Sequence, residues 1–303
     1  MAFTAQDVKK LREMTNCGMM DCKKALTETD GDMDKAVEFL REKGLATAAK
    51  KAGRIASEGM VEATVFENGV AVAVEVNSET DFVAKNEDFQ NFVHAVAGVI
   101  AKENPADVEA LKEMKISDSQ TVGEALTEKI ATIGENMNIR RFERFEGINQ
   151  AYVHAGGRIG VLVNFEVADA AKADTEEFKT MAKDVAMQIA AVMPEFVRES
   201  EIPAERVEKE KEILTAQALN EGKPANIVEK MVVGRIQKFF KEICLVDQAY
   251  VKDQDITVGK YVENVAKSLG TEISIVKFAR LEKGEGLEKK EENFADEVAK
   301  MMK

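Results

Sequence analysis

Asn77-Ser78-Glu79-Thr80-Asp81-Phe82-Val83-Ala84-Lys85-Asn86 is the stretch around which the chain is organised. Before it, Val70-Ala71-Val72-Ala73-Val74-Glu75-Val76 is an apolar, β-branched run with the composition of a buried strand. After it, Phe89, Phe92, Val93, Val96 and Ile100 recur at the spacing of one helical face. The stretch is therefore a strand-to-helix turn that sets a carboxylate beside an aromatic ring. Two readings of it stand open. In one, Thr80 caps a helical turn, Asp81 sits at the positive end of its dipole and Phe82 fills the core. In the other, Asp81 and Phe82 project from a rigid turn into a partner.

Upstream, residues 4–43 predict three short helices. Val8, Leu11 and Met14 stripe the first, Met20–Leu26 carries the second, and Met33, Ala36, Val37 and Leu40 stripe the third, closed by Gly44. About 40 residues make a poor independent core, so this bundle is expected to exist for what it binds. Met19 and Met20 either fill that core or offer adaptable, polarizable contacts from the loop at Gly18. Lys50–Gly59 reads as a basic linker. Met60–Val65 alternates as a strand, and Asn68-Gly69 turns it back toward Val70.

Downstream the pattern recurs. Ala151–Gly157 and Arg158–Val167 form a second strand pair around a Gly turn, followed by Phe178, Met181, Val185, Ile189 and Val192 on one helical face. Gly69 precedes Phe89 by 20 residues and Gly157 precedes Phe178 by 21, which points to two pseudo-equivalent units. Between them, Thr121–Ile133 is a helix ended by Gly134, and Met137–Phe145 a strand with a charged outer face. Residues 200–243 change character. Pro203 and Pro224 each mark a first helical position, and an apolar seam of Val207, Leu214, Ile227, Val228, Met231, Ile236, Phe239 and Ile243 predicts a projecting antiparallel helical hairpin. A helix over Val258–Leu269 and a strand over Glu272–Leu281 follow. Gly284-Glu285-Gly286 reads as a flexible joint before a terminal helix striped by Phe294, Val298, Met301 and Met302, which either packs home or docks on a partner.

The expected fold class is α+β. A three-helix N-terminal module and linker span 1–54, and a first sheet-plus-helix subdomain spans 55–147. A second spans 148–283 with the hairpin 200–243 inserted, and a helical module spans 284–303.

The net charge of −13 speaks against direct nucleic-acid binding, which needs a basic footprint. It is unevenly spread: residues 1–54 hold 11 Lys and Arg against 9 Asp and Glu, a net +2 on a body of −15. No apolar run approaches the roughly 20 residues that span a bilayer, and Met1–Asp7 carries no export signal. Three cysteines without a C-x-x-C pair fit a reducing cytoplasm and neither a disulfide framework nor a zinc site. His94, on the Phe89–Ile100 helix, reads as structural, and His154 has no Ser or Cys nucleophile motif beside it. No phosphate-binding Gly-Lys-Ser/Thr loop exists, since Gly222-Lys223 meets Pro224 and Gly259-Lys260 meets Tyr261. Neither a cofactor nor a metal is expected. A well-built scaffold without catalytic equipment favours binding or regulation.

Four stretches together resemble the bacterial translation elongation factor Ts family over essentially the full chain. They are Thr15–Leu26 with Met19-Met20-Asp21-Cys22-Lys23-Lys24-Ala25-Leu26, and Thr80-Asp81-Phe82-Val83-Ala84-Lys85-Asn86. The others are Ile133-Gly134-Glu135-Asn136 running into Asn138–Arg141, and His154 followed by Gly157–Val163. The first helices also resemble the ubiquitin-associated-type module that this family carries. The resemblance implies a guanine nucleotide exchange factor for elongation factor Tu, met in its GDP-bound and nucleotide-free states, with no chemistry of its own. It further implies that Thr80, Asp81, Phe82 and Val83 press on the GTPase domain beside its Mg²⁺ site. Ile133, Gly134 and His154 would join that contact, and Met19, Met20 and Lys23 would dock the N-terminal module near the nucleotide. The rival expectations are a ubiquitin-associated-like adaptor and an enzyme dependent on Cys22 or His154.

Overall fold

The computed structural model describes residues 3–15, 17–222 and 224–289. Helix α1 (Ala5–Thr15) begins where the Thr4 N–H donates to Asp7 Oδ2 at 2.7 Å and the Asp7 N–H returns a bond to Thr4 Oγ1 at 3.3 Å. Helix α2 (Met19–Glu28) follows Gly18. Helix α3 (Met33–Lys51) is capped by Asp32, whose carboxylate accepts from the Lys35 N–H at 3.1 Å. Val8, Leu11, Cys22, Ala25, Leu26, Ala36 and Leu40 form their shared core.

The first body unit runs through β1 (Glu58–Val65), β2 (Ala71–Ser78), the one-turn α4 (Asp81–Ala84), α5 (Glu87–Glu103) and α6 (Val108–Glu113). The short pair β3 (Lys115–Ser117) and β4 (Gln120–Thr121), α7 (Val122–Ile133) and β5 (Met137–Phe145) complete it. The second runs through β6 (Ile148–His154), β7 (Ile159–Val167), α8 (Glu176–Val192), α9 (Ala204–Asn220) and α10 (Ala225–Ile243). It ends with β8 (Ala249–Tyr250), β9 (Asp253–Thr257), α11 (Val258–Leu269) and β10 (Ile273–Glu282). The architecture is α+β, with two antiparallel sheets of order β1-β2-β5 and β10-β7-β6.

The sheets lie face to face between two helical layers. Val70, Val72, Val74 and Val76 pack outward on α5 and α7, while Val161, Val163 and Phe165 pack outward on α8 and α11. The inner layer holds Val61, Ala63, Ala71, Ala73, Phe145, Leu162 and Leu281. Every residue of β2 is therefore buried, which is why its sequence reads as an unbroken apolar run and not as an alternation. The small inner residues let the backbones come close. A Cβ on Gly160 would stand 2.4 Å from Val61 Cγ1, and the Val61 N–H donates to Gly157 O at 2.8 Å.

The repetition extends further than the hairpin spacing. Thr121-Val122-Gly123 and Thr257-Val258-Gly259 open α7 and α11 in the same way. Each Thr hydroxyl accepts from the N–H three residues on at 3.2 Å, and each Gly sits where a Cβ would press on a backbone oxygen, Lys112 O or Val246 O. Both helices have 12 residues and end at a left-handed glycine, Gly134 or Gly270.

Three expectations need correction here. Gly44 does not end α3, which runs on to Lys51. A helical Gly costs about 1 kcal/mol relative to Ala, but here α3 packs against α7 with Gly44 facing Ala131 and Thr127. The charged face of β5 is not solvated throughout: Arg140 and Arg141 turn onto Glu75, a fully buried carboxylate on β2. Gly284 is not a flexible joint. It is buried, its N–H donates to Glu75 Oε1 at 2.8 Å, and a Cβ there would meet Ser57 O at 2.2 Å.

Helices α9 and α10 form the expected hairpin, with Pro203 and Pro224 one residue earlier than predicted, as N-caps. Its seam is Leu214 and Ala218 against Val228, Val232, Ile236 and Phe240, an unbroken four-residue step. Ile227, predicted in the seam, is exposed, and Phe239 is only partly covered. The hairpin joins the body where Leu245 N–H donates to Phe196 O and Val246 N–H to Val197 O. The stripe Phe294, Val298, Met301 and Met302 lies outside the described residues.

Candidate partner-binding site

Strand β2 delivers the chain to Ser78, whose hydroxyl donates to Thr80 O at 2.9 Å, and α4 begins at once. Within α4 the side chains divide. Val83 is buried in the first core, while Phe82 is 78% exposed, so the core reading of Phe82 does not hold. Lys85 lies 2.7 Å from Asp81 Oδ2 and 5.8 Å from the centre of the Phe82 ring. This hydrogen bond holds the Asp81 carboxyl below its ordinary value. A carboxylate, an ammonium and an aromatic ring thus stand together on a one-turn projection.

Thr80 does not cap α4 with its side chain. Its N–H donates to Glu135 Oε2 at 2.9 Å and its hydroxyl to Glu135 Oε1 at 2.6 Å. Glu79 answers in the other direction, Oε1 accepting from the Asn136 N–H at 2.6 Å. The turn carrying Asp81 and Phe82 is therefore pinned to the turn carrying Ile133 and Gly134. The latter exists because α7 ends with Gly134 at φ 86°, a left-handed conformation suited to glycine. Ile133 is half-buried against the first core. The end of the N-terminal module reaches the same place: the Lys51 ammonium donates to Gly134 O, and Arg54 O accepts from the Asn136 amide at 2.7 Å.

His154 stands apart, exposed at the end of β6, its Nδ1 2.9 Å from the Tyr152 hydroxyl. Three successive left-handed residues, Ala155, Gly156 and Gly157, turn the chain there. Strand β6 packs on β1, and β1 on α4, so His154 occupies an adjoining strand and not the paired turns. His94 is exposed rather than buried, 3.3 Å from Glu62. Met19 and Met20 are exposed at the start of α2, so the core-filling alternative fails for both. Lys23 is exposed one turn further along α2.

The structure thus brings Thr80, Asp81, Phe82, Val83, Ile133 and Gly134 into one constellation. It leaves His154 and the group Met19, Met20 and Lys23 on other surfaces. Sequence reasoning passed over Glu79, Glu135, Lys51 and Arg54, which brace that constellation. The only signal was position: Glu135 lies within the Ile133–Asn136 stretch and Glu79 directly precedes Thr80. Among the described residues no three His, Cys, Asp or Glu side chains gather as a metal site requires, and no helix is long and apolar enough to cross a membrane.

A protein-family model described as Elongation factor TS matches residues 79–285, from the bracing Glu79 to the turn at Gly284. Proteins named Elongation factor Ts align along nearly the whole chain. That of Clostridium perfringens (strain SM101 / Type A) is 57% identical over 303 residues, 99% of this chain and 99% of the relative. That of Clostridium novyi (strain NT) is 57% identical over 305 residues, 99% of this chain and 98% of the relative. That of Clostridium botulinum (strain Eklund 17B / Type B) is 53% identical over 304 residues, 99% of each. With the match spanning sheets, helical hairpin and both pinned turns, the chain belongs to the elongation factor Ts family.

Proposed function

We propose that this protein is a guanine nucleotide exchange factor for elongation factor Tu, promoting GDP release in the cytoplasm during translation elongation. The observation that carries the reading is Phe82, a large apolar side chain 78% exposed on a turn braced from two sides. A ring held out into solvent by its own fold is an insertion device. Pressed into the GTPase domain, it displaces a packed segment and with it the groups that hold the partner's Mg²⁺. Loss of that ion removes the largest local positive charge on the nucleotide phosphates. Asp81 and Lys85 flank the ring and orient its entry, and Ile133, Gly134 and His154 complete the contact.

Met19, Met20 and Lys23 supply a second grip through the module of residues 1–54, which acts as the ubiquitin-associated-like docking unit. The first body unit, 55–147, carries the insertion turn. The second, 148–283 with the hairpin 200–243, holds another part of the partner, and 284–303 adds a terminal contact. Linkage makes exchange reciprocal: what weakens nucleotide weakens the factor's hold when nucleotide returns. Each tenfold loss of nucleotide affinity requires about 1.4 kcal/mol of coupling, which several grips supply more readily than one patch. The protein breaks no covalent bond.

The test is release of a fluorescent GDP from elongation factor Tu with substoichiometric amounts of this protein. Fast release over many turnovers supports exchange. Folded protein that binds elongation factor Tu without accelerating release would leave an adaptor.

A further inference from the structure

The two body units close the same junction by different means. In the second, where β7 leaves the sheet, the Ala168 N–H donates to Glu272 O at 3.0 Å and the Asp169 N–H to the Thr271 hydroxyl at 3.0 Å. One backbone bond and one short side chain suffice. At the corresponding place in the first unit, Glu79 and Thr80 face Glu135 and Asn136, and two carboxylates do the work. Glu79 takes the Asn136 N–H, while Glu135 takes both the N–H and the hydroxyl of Thr80. The junction carries more restraint than this fold needs to close.

What the extra restraint holds is the insertion turn. Helix α4 has four residues, too few to be stable by itself. Of its two large apolar side chains only Val83 is buried, so packing anchors one side of the turn and leaves the Phe82 side unsupported. A carboxylate that accepts through both oxygens fixes direction as well as distance. Because each loop lends its carboxylate to the other, neither shifts alone. The Lys51 contact on Gly134 O adds a strap from α3.

We propose that Glu79 and Glu135 are positioning residues for nucleotide exchange, a crossed pair that presets the Asp81-Phe82 turn before the partner arrives. The proposal rests on the exchange reading above. Without the pair, Phe82 samples many directions in the free protein, and ordering it falls on the step that expels nucleotide.

The experiment uses the full-length protein and its Glu135→Ala and Glu79→Ala variants, each with and without Phe82→Ala, in fluorescent GDP release across a range of factor concentrations. Glu135→Ala should lower the maximal stimulated rate about tenfold, the worth of one charge-assisted hydrogen bond, with the half-saturating concentration moving less than about twofold. In the Phe82→Ala background the same change should cost less than about twofold, because the residue being positioned is gone. Equal losses in both backgrounds, or a loss confined to half-saturation, would overturn the proposal. Amide hydrogen exchange of residues 80–84 in the partner-free chain should rise about tenfold in Glu135→Ala while residues 71–76 stay protected. Unchanged exchange at 80–84 would also overturn it. Should Glu135→Ala not fold, Glu135→Gln keeps one acceptor oxygen and should show a smaller loss of the same kind. Wild-type protein that fails to release GDP would remove the exchange reading and this proposal together. Wild-type exchange with a fully active Glu135→Ala would remove the proposal alone.

Discussion

Glu75 Oε1 and the backbone N–H of Gly284 lie 2.8 Å apart across 209 residues of sequence. The same carboxylate accepts from the Asn77 amide at 3.0 Å, from Arg140 Nη1 at 3.0 Å and from Arg141 Nε at 2.6 Å. A slip in the β2–β5 register after Glu75 lets two consecutive arginines reach one acid. The end of the second unit is thereby tied to the central strand of the first.

Burial by itself would raise the Glu75 carboxyl, but the Gly284 N–H, Asn77, Arg141 and Arg140 outweigh it and hold it below its ordinary value. A carboxyl depressed in the folded state stabilises above its unfolded pKa, about 4.3, and that stability is lost as pH falls through the folded value. Glu75→Gln should therefore lower stability by about 3 kcal/mol at neutral pH and flatten the acid limb of the stability curve below about pH 4. Urea melts at pH 7, 5 and 3 check both. Equal losses at all three values would show that packing, and not charge, is what Glu75 contributes.

Phe82→Ala should leave the melting temperature within about two degrees, since the ring touches little of its own protein. Stimulated GDP release should fall at least about tenfold. Asp81→Ala should do the same in smaller measure. A cooperative loss of structure in Asp81→Ala would restore the reading in which Asp81 serves its own helix.

Gly160→Ala would place a methyl 2.4 Å from Val61 Cγ1 and 3.3 Å from Ala63 Cβ. Overpacking at such a seam costs about 1–3 kcal/mol. Val61→Ala in the same chain should recover part of that loss although it is destabilising alone. A double-mutant cycle by chemical denaturation measures the sign of the coupling.

Replacing residues 206–239 by a short Gly-Ser linker should leave the body folded. The hairpin has its own apolar seam, and its two ends already meet where Phe196 and Val197 accept from Leu245 and Val246. The melting temperature of the remainder should move by a few degrees at most, about what a change of 1 kcal/mol produces. Aggregation or loss of the cooperative transition would show that α9 and α10 support the second core.

The elements were legible where one face of a segment met one environment. Residues 89–100 and 178–192 announced their helices, and Asn68-Gly69 its turn, because periodicity and turn chemistry are local. What escaped was set by partners distant in sequence. Gly44 reads as a stop, yet α3 continues because α7 lies across it. Glu75 reads as a lone acid in an apolar strand, and only the fold brings two arginines and Gly284 to it. Phe82 could have faced either way, and its exposure follows from Val83 taking the inward position and Thr80 turning to Glu135. The recurrence of Thr-Val-Gly at 121 and 257 is plain in the sequence, but its meaning lies in the backbone pressed against each glycine.

The alanine and glycine part of the layer between the sheets has a mechanical consequence. A boundary of leucines and phenylalanines can yield by hopping between rotamers, but alanine has no rotamer to change and glycine no side chain. Ala63, Ala71 and Ala73, with Gly160 against Val61, leave few such degrees of freedom along their part of the seam. Adjustment between the sheets therefore falls to Phe145, Leu162 and Leu281, while the alanine-lined part can answer a load only by a shift of backbone.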